Sequence, residues 1–188
     1  MKIGVIGLGY VGLPLLIEFS KKYDVIGFEK NKKRISDLKN KKDLNNEISS
    51  SQFNIIKNLN ISHKIKELMD CTIFIVTVPT PVDKYNKPDL TSLKNACLNI
   101  SRILKKKDIV IFESTVFPGL TEDYCTKWLS NHNDLEFNKD YFCGYSPERI
   151  NPGDKNKSLT KIKKITSGSN KKTANIVDQL YKSIIKAG

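Results

Sequence analysis

The residues Lys2-Ile3-Gly4-Val5-Ile6-Gly7-Leu8-Gly9-Tyr10-Val11-Gly12 constrain this chain more than any other stretch. A short apolar run leads into Gly7, Gly9 and Gly12 with the spacing GxGxxG, and Leu13 to Phe19 then reads as a helix. A glycine inside a helix or strand costs roughly 0.5–1 kcal/mol against alanine. Three in six residues therefore imply that backbone must come close to something. In a strand–turn–helix setting each has its own task. Gly7 permits the tight turn, Gly9 lets main-chain N–H groups approach a pyrophosphate, and Gly12 lets the helix lie close on the strand. The helix N-terminus then offers unpaired donors and partial positive charge to the phosphates.

Such a turn is completed by an acidic residue about 20 positions further on, at the end of the second strand. Glu29 directly follows Asp24-Val25-Ile26-Gly27-Phe28. Its carboxylate can accept from both hydroxyls of an adenosine ribose and repels a 2′-phosphate. The expected cofactor is NAD rather than NADP, although the basic run Lys30, Lys32, Lys33 and Arg34 pulls the other way. A purely structural turn is the alternative reading of the glycines, and Glu29 weighs against it.

Along the rest of the chain, apolar runs alternate with helical periodicity. Strands are expected at Ile3–Ile6, Asp24–Phe28, Asn60–Ser62, Thr72–Val78, Asp108–Phe112 and Tyr141–Tyr145, with a last one over 162–167. Helices are expected at Leu13–Phe19, Asn31–Leu38 and Ile65–Met69. Others run along Leu90–Leu104 with Asp89 as N-cap, from the Glu113–Gly119 loop through Trp128, and over Thr173–Lys186. Residues 39–52 read as a polar loop with a new helix starting in the serines, and Pro152–Lys157 as an exposed loop. The pattern predicts an α/β protein: a Rossmann-like, doubly wound, mainly parallel sheet with helices on both faces, residues 1–188 forming one dinucleotide-binding domain.

In such sheets ligands bind outside the carboxyl ends of the strands. Pro79-Thr80-Pro81 and Glu113-Ser114-Thr115 both lie there. Thr80 is placed to reach a cofactor, and a rigid strand exit is the plainer reading of the prolines. Further on, Glu148 could order a water or take a proton, and Arg149 could bind a phosphate or carboxylate. On chemistry alone, an adjacent Glu–Arg is more often a surface ion pair.

The formal net charge of +12 raises nucleic acid as a partner. The lysines, however, fall in scattered runs at helix ends and loops, without the interleaved aromatics of a single-strand stacking platform. A solvated basic surface, able also to attract a phosphorylated small molecule, fits better, so no nucleic acid is expected. No apolar run approaches the roughly 18 residues of a membrane span. With a single lysine before strand-like sequence, no signal peptide is read, and a cytoplasmic chain is expected. The four cysteines show no CxxC, and the two histidines offer no ligand spacing, so free thiols and no metal are expected.

Four strings occur in order: GVIGLGYVGLPL, VPTPVDKYNKPDLTSL, ESTVFPGLTEDYC and GYSPERINPGDK. Together they resemble the N-terminal part of the UDP-glucose/GDP-mannose dehydrogenase family, and within it the UDP-N-acetylhexosamine 6-dehydrogenases. The resemblance covers essentially the whole chain, and Glu148–Asp154 is its branch-specific part. It implies oxidation of the C6 hydroxyl of a nucleotide sugar to a carboxylate with two NAD+, for surface polysaccharide. It implies Tyr10 and Val11 at the pyrophosphate and Glu29 and Arg34 at the adenosine. Thr80, Pro81, Ser114 and Thr115 would lie near the ribose and nicotinamide. Thr115 and Glu148 would act as catalytic residues, and Glu148, Arg149, Ile150 and Asn151 would touch a UDP-N-acetylhexosamine. Pro152 stands where the UDP-glucose branch has a second glutamate, which favours the N-acetyl branch. The family's catalytic cysteine and lysine have no match among these residues. The chain is therefore expected to be the cofactor half of a longer, homo-oligomeric enzyme, inactive alone. A stand-alone nucleotide-binding or regulatory module is the rival reading.

Overall fold

The computed structural model describes residues 1–49, 52–53, 59–149 and 159–187. Seven strands form one sheet: β1 (Lys2–Ile6), β2 (Asp24–Phe28), β3 (Ile61–Ser62), β4 (Ile73–Val76), β5 (Ile109–Phe112), β6 (Phe142–Tyr145) and β7 (Ser167–Gly168). Their spatial order is β3-β2-β1-β4-β5-β6-β7. All pairings are parallel except β6 with β7, which is antiparallel. The helices are α1 (Gly12–Ser20), α2 (Lys32–Lys39), α3 (Thr91–Ser101), α4 (Thr126–Leu129) and α5 (Lys171–Lys182). This is the doubly wound arrangement expected. From β1 the chain winds outward to β3, then crosses back to lay β4 on the other side of β1. The switch opens a crevice at the carboxyl ends of β1 and β4.

The central strands are apolar on both faces, and their side chains alternate between two cores. Ile3, Val5, Ile73, Ile75, Ile109 and Ile111 pack under α1, α2 and α5. Ile6, Phe74, Val76, Val110 and Phe112 pack under α3 and α4. A continuous apolar run with period-two alternation is what a parallel strand covered on both sides requires. Asn31 starts α2 by accepting from the Lys33 and Arg34 N–H groups, and Asn170 starts α5 by accepting from the Thr173 N–H.

Several expected elements shift. The helix at Ile65–Met69 is a 3₁₀ turn, Ile65–Leu68. The helix running through Trp128 opens with a π-helical turn, Thr121–Cys125, before α4. Leu90, not Asp89, occupies the N-cap of α3, while the Asp89 carboxylate still accepts from the Thr91 N–H at 2.9 Å. The strand expected over 162–167 is replaced by two residues, Ser167–Gly168. Ile165 is 58% exposed, whereas Lys164 turns inward to a buried carboxylate. The helix start in the serines falls largely outside the described residues, and Pro152–Lys157 falls wholly outside them. Among the described residues, no helix is long and apolar enough to cross a membrane.

Candidate functional site

The glycine turn assigns a different reason to each glycine. Gly7 has φ +93°, and its N–H donates to the Phe28 carbonyl at 2.9 Å. The Thr77 hydroxyl reaches both the Ile6 and Gly7 carbonyls, at 3.0 and 2.7 Å. A Cβ on Gly12 would lie 1.9 Å from the Gly7 carbonyl oxygen and 2.4 Å from Thr77 Oγ1. Gly7 is thus required by conformation and Gly12 by packing. Gly9 is required by neither: its φ is not positive, and an added Cβ would meet nothing within 4 Å. The space above it belongs to a cleft of about 400 Å³ at the switch point. No side chain caps the first turn of α1, and no acidic residue lies in that turn, so the turn itself carries no charge that offsets the helix dipole.

Glu29 closes one end of this cleft. Its Oε2 accepts from the Leu8 N–H at 3.0 Å and its Oε1 from the Asn31 N–H at 2.9 Å. The carboxylate holds the glycine turn to the end of β2 and keeps lone pairs for a ligand hydroxyl. Arg34 does not line the cleft and sits behind the turn. Its Nε and Nη2 donate to the Leu8 carbonyl at 3.2 and 3.1 Å. Its Nη1 lies 2.7 Å from the buried Asp43 carboxylate, an attraction of charges without an aligned hydrogen bond. Asp43 also accepts from the N–H groups of Asn45, Glu47 and Ile48. Leu8 is therefore gripped at both its N–H and its carbonyl.

The ends of β4 and β5 form the floor. Thr80, Ser114, Thr115 and Glu148 line the same cleft as Gly7, Gly9, Tyr10, Val11 and Glu29. The Ser114 hydroxyl donates to the Val78 carbonyl at 2.6 Å and so joins the two strand exits. Thr80 Oγ1 is buried and has no hydrogen-bond partner among the described residues, although buried hydroxyls are normally satisfied. Gly12 lies behind the cleft wall, and Pro81 and the exposed Arg149 lie outside the lining. Pro81 opens a hairpin-like loop closed by the Asp89 N–H on its carbonyl, at 2.7 Å, and by an antiparallel bridge between Val82 and Pro88. Ile150 and Asn151 fall outside the described residues. Burial, and then the Glu148 charge, push the Tyr10 phenol above its ordinary range.

Sequence reasoning missed the most unusual feature of the floor. Glu113, 1% exposed, also borders the cleft. Its carboxylate pairs with the Lys164 ammonium and accepts from the Tyr181 hydroxyl. Lys164 donates in addition to the Pro147 carbonyl, at 3.2 Å, and its ammonium lies 5.5 Å over the Tyr181 ring. Burial raises the Glu113 pKa above the ordinary carboxylate range, and the lowering effect of Lys164 offsets this only in part. Burial, with the Glu113 charge second, drives the Tyr181 phenol well above its usual range. The sequence reading places Glu113 at a strand end in the crevice, within Glu113-Ser114-Thr115, but assigns it no role. Nothing local marks Lys164.

The four thiols, at Cys71, Cys97, Cys125 and Cys143, are free and buried. Burial pushes Cys71 up to about 11 and raises Cys143 further. A hydrogen bond with Cys125, and then burial, raise Cys97. No cluster of three or more metal-binding side chains occurs among the described residues.

Residues 1–185 match the family model described as "UDP-glucose/GDP-mannose dehydrogenase family, NAD binding domain". The chain is 50% identical, over all 188 residues, to a UDP-N-acetyl-D-glucosamine 6-dehydrogenase of Pseudomonas aeruginosa, and covers 44% of that protein. It is 48% identical to the enzyme of the same name from Salmonella typhi, again covering 44% of it. Among solved structures, a UDP-D-ManNAc dehydrogenase from Pyrococcus horikoshii superposes with a TM-score of 0.84 at 30% identity, over 99% of this chain and 45% of that one. The chain thus spans less than half the length of these relatives. Their identity along its whole length, the family match and the switch-point cleft agree: the chain belongs to the UDP-glucose/GDP-mannose dehydrogenase family and corresponds to its NAD-binding domain.

Proposed function

We propose that this chain is the cofactor half of an NAD-dependent UDP-N-acetylhexosamine 6-dehydrogenase. The cofactor reading is carried by Gly9, a glycine that the fold does not need, at the mouth of an open cleft beside an uncapped helix end. The unpartnered Thr80 hydroxyl within that cleft fits a ligand too. In this reading the α1 N-terminus holds the pyrophosphate. Glu29 accepts from the adenosine ribose, Arg34 stiffens the turn from behind, and Thr80 bonds the cofactor further along. NAD+, when bound, supplies a hydride acceptor.

Thr115 and Glu148 stand at the other end of the lining. We assign Glu148 to hold or move the proton of the C6 hydroxyl, directly or through a water, and Thr115 to bond that water. Arg149, Ile150 and Asn151 follow Glu148 directly and are assigned to the substrate. The UDP-N-acetylhexosamine class rests on the names of the relatives. A four-electron oxidation calls for a nucleophile to carry the sugar between its two stages. The four buried thiols are unsuited to that task, since a buried thiol with no base to activate it is inert, so the nucleophile is assigned to a residue outside this chain.

Calorimetry on the 188-residue chain tests the reading. NAD+ is expected to bind more tightly than NADP+, with the preference lost in Glu29→Ala. Equal or reversed affinities in the wild-type chain would remove Glu29 from the adenosine end. The chain alone is expected to form no NADH from UDP-GlcNAc, UDP-GalNAc or UDP-ManNAc, and turnover by it would contradict the division of labour.

A further inference from the structure

The Glu113–Lys164 pair has side-chain exposures of 0% and 3%. Removing two ions from water costs several kcal/mol each, and apolar residues of similar volume often serve stability as well or better. Stability alone is therefore a weak reason for a charged junction at this point. Its placement gives another.

β6 ends at Tyr145, and the Ser146 N–H still bonds to the Phe112 carbonyl at 2.9 Å. The next residue is Pro147, which has no N–H and cannot extend the ladder. The chain leaves the sheet one residue before Glu148. Lys164 donates to the Pro147 carbonyl there, the carbonyl of the peptide that leads into Glu148. Its charge is balanced by Glu113 at the end of β5, and Glu113 is held in turn by Tyr181 of α5. Glu148 lies close enough for its charge to act on Glu113, Tyr181 and Tyr10. Because Lys164 cancels the Glu113 charge, a second carboxylate can sit beside it at the cleft floor.

We propose that Lys164 is a positioning residue: with Glu113 as its counter-ion and Tyr181 as a strut, it fixes the Pro147–Glu148 turn so that Glu148 faces the oxidised nicotinamide end of the cleft. The proposal rests on the cofactor reading above. It concerns Lys164, Glu113 and Tyr181, none of which that reading uses.

The experiment is the ratio of NADH to NAD+ dissociation constants, measured by calorimetry on the 188-residue chain. The two cofactors differ by one positive charge at the nicotinamide ring, so the ratio reports the charge facing that ring. Losses common to both, such as general loosening, cancel. Glu148→Gln sets the scale and is expected to move the ratio toward NADH by about tenfold. Glu113→Gln/Lys164→Met removes the tie to Pro147 without leaving a buried unpaired charge, and Gln can still bond the Tyr181 hydroxyl. It is expected to move the ratio in the same direction by roughly threefold or more. If that variant does not fold, Glu113→Met/Lys164→Met provides an apolar alternative with the same expected shift. A folded pair variant that keeps the wild-type ratio while Glu148→Gln shifts it would overturn the positioning role. No shift in Glu148→Gln would overturn it as well, since Glu148 would not face the ring. If the wild-type chain bound neither cofactor, the cofactor reading itself would fail, before any substitution is made.

Discussion

Valine at position 9 separates a ligand's demand for glycine from the fold's. The Gly9 φ is not positive, and an added Cβ has nothing within 4 Å. Folding should therefore be almost untouched. Replacing glycine by a residue that fits can even stabilise by about 0.4–1 kcal/mol through the unfolded chain, partly offset here by valine's stiffness. With roughly 2–4 °C of Tm per kcal/mol in a chain of this size, the melting temperature should stay within about 2 °C of wild type. The valine methyls would, however, stand where an anion must come to meet the α1 N–H groups. NAD+ should bind at least about tenfold more weakly, about 1.4 kcal/mol. Gly12→Ala is the control, with the opposite signature. Its Cβ would overlap the Gly7 carbonyl at 1.9 Å and Thr77 Oγ1 at 2.4 Å. That carbonyl is backbone and that hydroxyl is bonded to backbone, so neither can swing aside. The cost belongs at the upper end of overpacking, about 3 kcal/mol, or roughly 6–12 °C of Tm. Thermal melts and calorimetry on both variants decide the matter. Gly9→Val with wild-type NAD+ affinity would mean that no pyrophosphate approaches this turn. A melting temperature as low as that of Gly12→Ala would mean that packing, not a ligand, requires Gly9.

Two further outcomes follow from buried groups. The native chain should react negligibly with a thiol reagent at pH 8 and yield four equivalents once unfolded, because all four thiols are buried; one fast-reacting native thiol would reopen the search for a nucleophile among them. Asp108, 2% exposed, is pushed up to about 6 by burial, against the Lys105 N–H bond that lowers it. Its folded pKa lies above the unfolded value of about 3.9, so the folded state holds the proton more tightly and stability falls as pH rises from about 4 to 6. Asp108→Asn, which keeps an acceptor for that N–H, should be the more stable protein above pH 6, by roughly 1–3 kcal/mol, with the advantage shrinking toward pH 4. Parallel stability–pH curves for the two would refute this.

The parts of the site that could be read from the sequence are those whose constraint is local. Gly7 and Gly12 are fixed by a turn and by a helix contact only a few residues away, and Glu29 by its position at the end of an apolar run. The β1, β2, β4 and β5 strands were legible because their side chains alternate between two apolar cores. The spacing already assigns Gly9 a task of its own, the approach of a pyrophosphate, but not the open space beside it, since a pattern records that glycine is present and not what surrounds it. The sequence misleads over 162–167 for a related reason. The segment reads as a last strand, whereas Lys164 points inward to Glu113 and the strand is confined to Ser167–Gly168.

Both ends of the cleft are held by one device: an ionised side chain, distant in sequence, that takes hold of a main-chain group. At the adenosine end, Glu29 grips the Leu8 N–H from 21 residues away and Arg34 the Leu8 carbonyl from 26, with Asp43 balancing the arginine. At the floor, Lys164 grips the Pro147 carbonyl from 17 residues away, with Glu113 balancing it from 51. In each case the gripped residue directly adjoins a residue of the cleft lining, Gly9 after Leu8 and Glu148 after Pro147, which the proposed reading turns toward the ligand. Leu8 and Pro147 cannot do this with their own side chains, because one is committed to the core at 0% exposure and the other is proline. A backbone that must leave the regular ladder to meet a ligand loses its ladder hydrogen bonds, and a charged group is the strongest available replacement for them. On this argument Arg34 belongs to the site without touching its occupant, as Lys164 does, and the two basic residues are the counterparts of each other across the cleft.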